Sequence, residues 1–402
     1  MSSSNYRYAI APTSQFFFCG IPFRLDTSPK CPLNCLYCFA MSRGGRRTSN
    51  LLLADPSRIQ RKVEKAFSME HQKDIIDKFI LAKVPIHFGG MSDPFSTPEI
   101  SLRSLKILQI LDQIDYPIII STKNPNIFSD EKIYLQLLKM KNVVIQISIS
   151  TISDNFAKIL EPNASTPTER LQAIDKFSSQ GKYVIARIQP IFPQKLEEIE
   201  NKLIPTLSQA GVKHIILEFL KLPVESNLND LSNLTEVLGW NVINYYKDLN
   251  AEKIGREWIL PAKTKWEMLQ PLLNRIHQEE ISYGLADYGL YHLSDTDCCC
   301  GIDKINGFTN WFQYNYSYQI KRVKNGVLRF DENNKNYIPS NTIGMYINSN
   351  SRLRENETLF GHLKSKWNRP GTANAPDSYL GVEWTGERDE NGNCIYYKSN
   401  NW

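Results

Sequence analysis

Val143-Val-Ile-Gln-Ile-Ser148 and Val184-Ile-Ala-Arg-Ile-Gln189 flank a helical pattern that Pro167 and Thr168 open, that runs through Leu171, Ile174 and Phe177, and that Gly181 stops. Both flanking runs are short, rich in Ile and Val and nearly continuously apolar. Strands read that way when helices cover both faces of a parallel sheet. Pro at the first helical turn and Gly just past the last one are the ordinary punctuation of a helix. Strand, helix, strand is the repeating unit of an α/β fold.

Outward from this unit the alternation continues in both directions. Upstream, residues 86–88 and 118–121 read as strands. Helices are expected over 102–111, with Leu105, Leu108 and Leu111, and over 131–140, with Ile133, Leu137 and Leu138 on one face. Downstream, 215–219 is the next strand and 281–286 a late strand that closes the unit. The pattern predicts an α/β barrel or an open parallel sheet, whose chemistry gathers at the C-terminal ends of the strands. The polar residues fall there, at 89–93, 121–124, 148–151 and 187–190. No internal repeat of a solenoid kind is present. After about Asp287 the texture changes: residues 306–320 are aromatic-rich and 331–336 form a polar run. The expected organisation is a core over 1–286 and an irregular C-terminal extension over 287–402 that packs on the core and covers the active site.

A chain of 402 residues with 42% hydrophobic content can bury a full core. The formal charge of +5 tolerates a nucleic-acid partner without requiring one. Arg43, Arg46 and Arg47 form the one dense basic cluster, which a solvated loop also explains. The opening residues carry no basic, then apolar, secretory pattern, and the apolar runs near 118 and 143 are too short to cross a bilayer. A cytoplasmic protein with no membrane contact is expected. In that compartment eight cysteines point to metal binding or catalysis more than to disulfides.

Cys31-Pro-Leu-Asn-Cys35-Leu-Tyr-Cys38 follows the strand at residues 23–25. Three thiolates on one tight loop can grip three irons of a [4Fe–4S] cluster, where ferredoxins ordinarily use four cysteines. The fourth iron is then free for an atom of a substrate or cofactor. A zinc site remains the competing reading, but it wants a fourth ligand at fixed spacing, and the nearest downstream histidine is His71.

The three-cysteine spacing, with the aromatic Tyr37 before the third cysteine, resembles the motif of the radical S-adenosylmethionine superfamily. The likeness extends to Ser-Ile-Ser-Thr at 148–151, to Leu-Glu-Pro-Asn-Ala-Ser-Thr-Pro-Thr-Glu-Arg at 160–170, and to Gln-Pro-Ile at 189–191. That string is similar to the spore photoproduct lyase branch, and the resemblance covers roughly residues 16–220. It implies a partial (β/α) barrel of the radical S-adenosylmethionine type. It also implies a [4Fe–4S] cluster on Cys31, Cys35 and Cys38, with S-adenosylmethionine cleaved reductively to a 5′-deoxyadenosyl radical that abstracts hydrogen from a substrate. An electron donor such as a reductase, flavodoxin or ferredoxin follows from the same resemblance.

Residue by residue, the resemblance places the backbone of Gly89 and Gly90 against the methionyl amine. Ser92 and Asp93 stand beside it, where the superfamily more often has Glu. Lys123 falls at the position that pairs with the cofactor carboxylate, and Ser148 near the ribose. Arg187, a charge on a strand, needs a partner, and the cofactor is one candidate. Glu161 and Arg170 are read either as an ion pair fixing the turn between them or as cofactor contacts. The chain departs from the branch at one point. Spore photoproduct lyase carries a hydrogen-donating cysteine beside the matching second strand, but residues 87–93 contain none, and Gly90 stands about where it would fall. The thymine-dimer reaction is therefore not carried over. The expected substrate is a nucleic-acid base or nucleotide, with a peptide or small metabolite as the alternative; a non-catalytic metal- or nucleic-acid-binding protein is the rival from another class. Cys298-Cys299-Cys300 is a separate puzzle. Two of the three, notably Cys298 and Cys300, with Cys19 or Cys394, offer a second cluster or metal site, against the alternative of buried structural cysteine.

Overall fold

A computed structural model describes residues 6, 9–13, 19–38, 52–70, 73–125, 130–224, 228–308, 315–323, 326–331, 358–372 and 375–398. Arg43, Arg46, Arg47 and His71 lie outside the described residues.

The main sheet has eight strands: β1 (Ile10–Pro12), β2 (Phe23–Leu25), β3 (Ile86–Phe88), β4 (Ile118–Thr122), β5 (Val143–Ser148), β6 (Val184–Ile191), β7 (His214–Phe219) and β11 (Ser282–Leu285), in that spatial order. From β2 to β11 every pairing is parallel, while β1 runs antiparallel to β2. Ile118, Ile119 and Ile120 are fully buried, as are Val144, Ile145, Ile185 and Ile188. Each such side chain contributes on the order of 2 kcal/mol by leaving water. Helices cross between the parallel strands. The one over Pro98–Asp112 is capped by Thr97 with Pro98 at its first position, and the one over Pro167–Ser178 carries a reciprocal capping box between Thr166 and Glu169.

The edge strand β1 was not foreseen, being too short to read from periodicity. The sheet is the expected open, partial barrel, but the late strand β11 does not close it: β11 pairs with β7, and among the described residues nothing joins it to β1. A loop packs on the inner face of β11, where the Cys299 carbonyl oxygen stands 1.9 Å from the place a Cβ on Gly284 would take.

Two smaller antiparallel sheets complete the described strands. One comprises β8 (Leu222–Pro223), β10 (Glu257–Ile259) and β9 (Glu252–Ile254), and the other β12 (Val327–Leu328), β14 (Cys394–Lys398) and β13 (Val382–Arg388). The second packs with a short helix, Leu359–Trp367. Trp367 is fully buried among Tyr316, Phe330 and Tyr396, and its Nε1 donates to the Cys394 carbonyl at 2.6 Å. The described aromatics of 306–320 are thus largely core: Phe308 and Tyr316 are buried, and the exposed ones further on are Trp384 and Tyr397. No helix among the described residues is long and apolar enough to cross a membrane.

Candidate active site at the C-terminal ends of the strands

The cysteine loop leaves the end of β2 and is held at three points. The Leu36 N–H donates to the Leu160 carbonyl at 2.9 Å, Asn163 Nδ2 donates to the Pro32 carbonyl at 2.9 Å, and the Cys38 N–H donates to the Cys35 carbonyl at 3.2 Å. Asn34 takes a left-handed φ of 52° inside the loop, a conformation asparagine tolerates better than most residues. The helix Asp154–Leu160 and the turn after it therefore clamp the loop from the far side of the barrel mouth.

The neighbouring strand ends are laced together by buried carboxylates. Asp26, fully buried just past β2, pairs with Arg24 and accepts from the backbone N–H groups of Met91 at 2.8 Å and Ser92 at 3.3 Å. Ser92 Oγ donates to the Ser28 carbonyl. Asp93 accepts from the Phe95 N–H at 2.8 Å, the Lys123 N–H at 2.6 Å and the Thr122 hydroxyl at 3.0 Å. Gly89 turns the chain out of β3 with φ +94°, and a Cβ there would stand 2.6 Å from the Ser121 carbonyl oxygen. Close approach of two backbones at this corner requires glycine.

Burial pushes the Cys31 thiol up to about 12, while the N–H groups of Asp93 and Leu33 act on its sulfur in the opposite sense. Cys35 is likewise pushed well above its ordinary value by burial, with Lys123 opposing. Lys123 itself is brought down to about 8 by burial, with the nearby Cys35 acting against the shift. Its Nζ lies 3.1 Å from Glu161 Oε1 and 5.3 Å from the centre of the Tyr37 ring. Glu161 also receives the Tyr37 hydroxyl and the Arg170 guanidinium, and Arg170 Nη1 donates to the Ser148 carbonyl at 2.9 Å. Of the two readings of Glu161 and Arg170, the ion pair is present and buried. It extends to Tyr37, Lys123 and the backbone of Ser148.

Inside the barrel, alternate strand residues face a polar lumen. His87 Nε2 meets Ser121 Oγ, which accepts from Gln146 Nε2 at 2.6 Å. Burial, then the charge of Arg187, brings His87 down to about 3. Arg187 Nη2 donates to Glu218 Oε2 at 3.0 Å, and Glu218 also holds Lys221. Arg187 thus has a protein partner. Of the later cysteines, Cys299 and Cys300 face each other at 3.8 Å. Cys298 instead meets Asp303 Oδ1 at 3.6 Å, and Cys394 lies in the C-terminal sheet beside Trp367.

The structure thus brings Tyr37, Gly89, Gly90, Ser92, Asp93, Lys123 and Ser148 to one end of the sheet with Cys31, Cys35 and Cys38, and sets Arg187 in the lumen below. Sequence reasoning missed Asp26, His87 and Glu218. His87 had a signal: it is the one polar residue between two apolar ones on β3, so it must face away from the covering helices. The donor set suits an iron–sulfur cluster, with three thiols on one loop and backbone N–H donors at Cys31. Among the described residues no group of three or more His, Cys, Asp or Glu side chains is placed to hold a single metal ion. The loop is a group of neighbouring thiols.

Residues 25–203 match the model of the Radical SAM superfamily. An uncharacterized protein, ORF301, of Acidianus two-tailed virus is 28% identical over 199 residues, which is 48% of this chain and 59% of the viral protein. The chain thus spans less than two thirds of that relative. A mutant of spore photoproduct lyase superposes with a TM-score of 0.52 at 14% identity, over 68% of this chain and 78% of that one. Spore photoproduct lyase complexed with dinucleoside spore photoproduct gives 0.51 at 14% identity over the same shares. At that identity the likeness is one of fold. Residues 25–203 thus resemble a radical S-adenosylmethionine domain, and the fold they share with spore photoproduct lyase is a partial α/β barrel.

Proposed function

We propose that Cys31, Cys35 and Cys38 hold a [4Fe–4S] cluster, and that the chain cleaves S-adenosylmethionine to abstract hydrogen from a nucleic-acid base or nucleotide. The observation that carries this reading is the meeting of the three-cysteine loop with Lys123 at the strand ends, braced by Asp26, Asp93 and Glu161. When bound, the cluster supplies the electron that splits the sulfonium and yields the 5′-deoxyadenosyl radical. The remaining work falls to this chain's residues. Lys123 offers a point cation to the methionyl carboxylate. Gly89 and Gly90 let the backbone approach the methionyl amine, while Ser92 and Asp93 hold that turn against β2 and β4. Tyr37 and Ser148 flank the same mouth, and Arg187 lies deeper, toward the substrate.

Residues 287–402 are read as an extension that walls this mouth, and a flavodoxin, ferredoxin or reductase as the electron source. The thiol-rich composition favours the cytoplasm. The nucleic-acid substrate is supported by the basic net charge and by the dinucleoside held in the spore photoproduct lyase structure. A peptide or small metabolite is the alternative.

Anaerobic reconstitution tests the chemistry. With a reductant and S-adenosylmethionine the chain is expected to form 5′-deoxyadenosine, and Cys35→Ala to lose both the product and its iron. Retention of metal by that variant, without any product in the wild type, overturns the reading. A salt-sensitive DNA or RNA shift tests the substrate class; its absence, with no nucleic acid copurifying, favours the alternative.

A further inference from the structure

Register fixes which side chains look into the barrel. Ser121 of β4 stands opposite Gln146 of β5, and the two are bonded inside the lumen at 2.6 Å. Ser148, two residues further along β5, shares that face and stands opposite Arg187 of β6. Arg187 in turn stands opposite Ile216 of β7, so Glu218, two residues on, faces the same space. Arg187 therefore projects into the lumen.

Its guanidinium is pinned along one side. Nη2 donates to Glu218 Oε2 at 3.0 Å, and Nε donates to Gln189 Oε1. A guanidinium carries five N–H groups, so three are left, two of them on Nη1. Among the described residues these three meet no protein acceptor. The side chain keeps 20% of its surface open, although the strands around it are largely buried. A planar fork held on one edge and free on the other has little rotamer freedom left to lose when a guest meets it.

Charge points to what the guest carries. Glu218 is shared, with Arg187 on Oε2 and Lys221 on Oε1. Two cations on one carboxylate leave a positive charge unmatched within the trio. Glu257 and Asp287 bear on Lys221 rather than on Arg187, and Asp287 is itself paired with Lys265 at 3.1 Å. The open positive edge is thus that of Arg187. The neighbouring lumen positions Ser121, Gln146 and Ser148 are neutral hydrogen-bonding groups and do not cancel it.

We propose that Arg187 is a specificity-determining residue whose free guanidinium edge takes an oxyanion of the substrate, a phosphate or a carboxylate, inside the lumen. This rests on the reading that the barrel admits the substrate. Glu218 and Gln189 are positioning residues that hold the fork. A fork meets two oxygens of one oxyanion at once, in charge-assisted bonds roughly twice as strong as neutral ones. The cofactor carboxylate is left to Lys123, which stands beside Tyr37 of the cysteine loop.

The test reads Arg187 directly in the reconstituted holoprotein. Phenylglyoxal, which modifies accessible arginines, is applied briefly with inorganic phosphate, succinate or sodium chloride at matched ionic strength, and peptide mass spectrometry scores each arginine. Phosphate or succinate is expected to slow modification of Arg187 roughly fivefold relative to chloride, and to leave the exposed Arg322 unchanged. The oxyanion that protects at the lower concentration tells a phosphate-bearing nucleotide from a carboxylate-bearing peptide or metabolite. Arg187→Gln should lose the phosphate-dependent broadening of the phosphorus nuclear magnetic resonance line, and Arg187→Lys should regain only part of it. In both variants S-adenosylmethionine should still perturb the electron paramagnetic resonance of the reduced cluster.

Equal protection by chloride, or none by either oxyanion, overturns the proposal. No modification of Arg187 at all overturns it equally, since an edge that no reagent reaches receives no substrate. Loss of the cofactor's spectral effect in Arg187→Gln would assign the residue to the cofactor instead. Arginine modification needs neither cluster nor radical, so a failure of the radical chemistry registers separately, as absent 5′-deoxyadenosine.

Discussion

A histidine buried away from water takes up a proton only by placing a charge where no solvent can reach it. His214 is in that position, fully buried between Ser282 and the Cys299 carbonyl, and burial holds it down at about 4. An unfolded chain would protonate the same histidine near 6.5. Between those two values the unfolded state binds the extra proton, so stability falls as pH drops through the window and levels off below it. The loss from this group is on the order of 3 kcal/mol. Urea midpoints measured from pH 7 to pH 4 should fall accordingly, and His214→Gln should flatten the decline. Sequence alone hinted at little of this. Lys123 was singled out through the family resemblance, and its place just past the end of β4 is where an α/β fold gathers polar residues. The bond from Tyr37 to Glu161 was not, because it joins residues 124 positions apart and no local pattern encodes it. Asp26 escaped notice for the same reason: its partners, Met91 and Ser92, belong to another strand end.

The corner between β3 and β4 shows what an element asks of a single residue. Gly89 combines φ +94° with a backbone oxygen 2.6 Å from where a Cβ would sit. Gly89→Ala must relieve both the strain and the contact by moving the Ser121 carbonyl or the turn itself. A loss of about 1–3 kcal/mol follows from the strained conformation alone. The displaced turn also carries the Asp93 N–H away from Cys31, so iron content after reconstitution should drop together with the thermal midpoint. A fall in stability with full iron content would show that the turn does not reach the cysteine loop. At this scale the sequence was informative. The β3, β4, β5, β6 and β7 strands were expected almost where they lie, because buried parallel strands are near-continuous runs of Ile and Val. β1 was not, since three residues on an edge strand carry no period.

At the scale of the whole molecule, the loop around Cys299 couples the barrel to the stretch that follows Asp287. It belongs to the stretch after Asp287, yet it rests on Gly284 and His214 inside the barrel, while Lys321 from the following helix donates to the carbonyls of Ser294 at 2.5 Å and Thr296 at 2.8 Å. Such interlocking predicts one cooperative unfolding transition. Far-ultraviolet circular dichroism, which reports the barrel, and tryptophan fluorescence, which includes the buried Trp367, should trace the same urea curve; two separated midpoints would show that the extension melts by itself. The change of texture near Asp287 was visible in the sequence. That the chain re-enters the barrel after it was not, because only tertiary packing makes that return.

The buried charges at the mouth and in the lumen are paired but not balanced: Arg24 with Asp26 and Lys265 with Asp287 pair one to one, while Arg187 and Lys221 share Glu218, and Lys123 and Arg170 share Glu161. A guest entering this chamber meets dipoles, close fit and a surplus of cations in these pairs that favours an anionic group. Charges buried in this way are screened less than exposed ones, so the grip on the inserted group should weaken only modestly with ionic strength. If a polynucleotide is the substrate, its remaining phosphates are gripped on the outer surface, and the slope of affinity against salt chiefly measures that outer grip. A single nucleotide and a long strand would then differ in salt response while sharing the same chemistry inside.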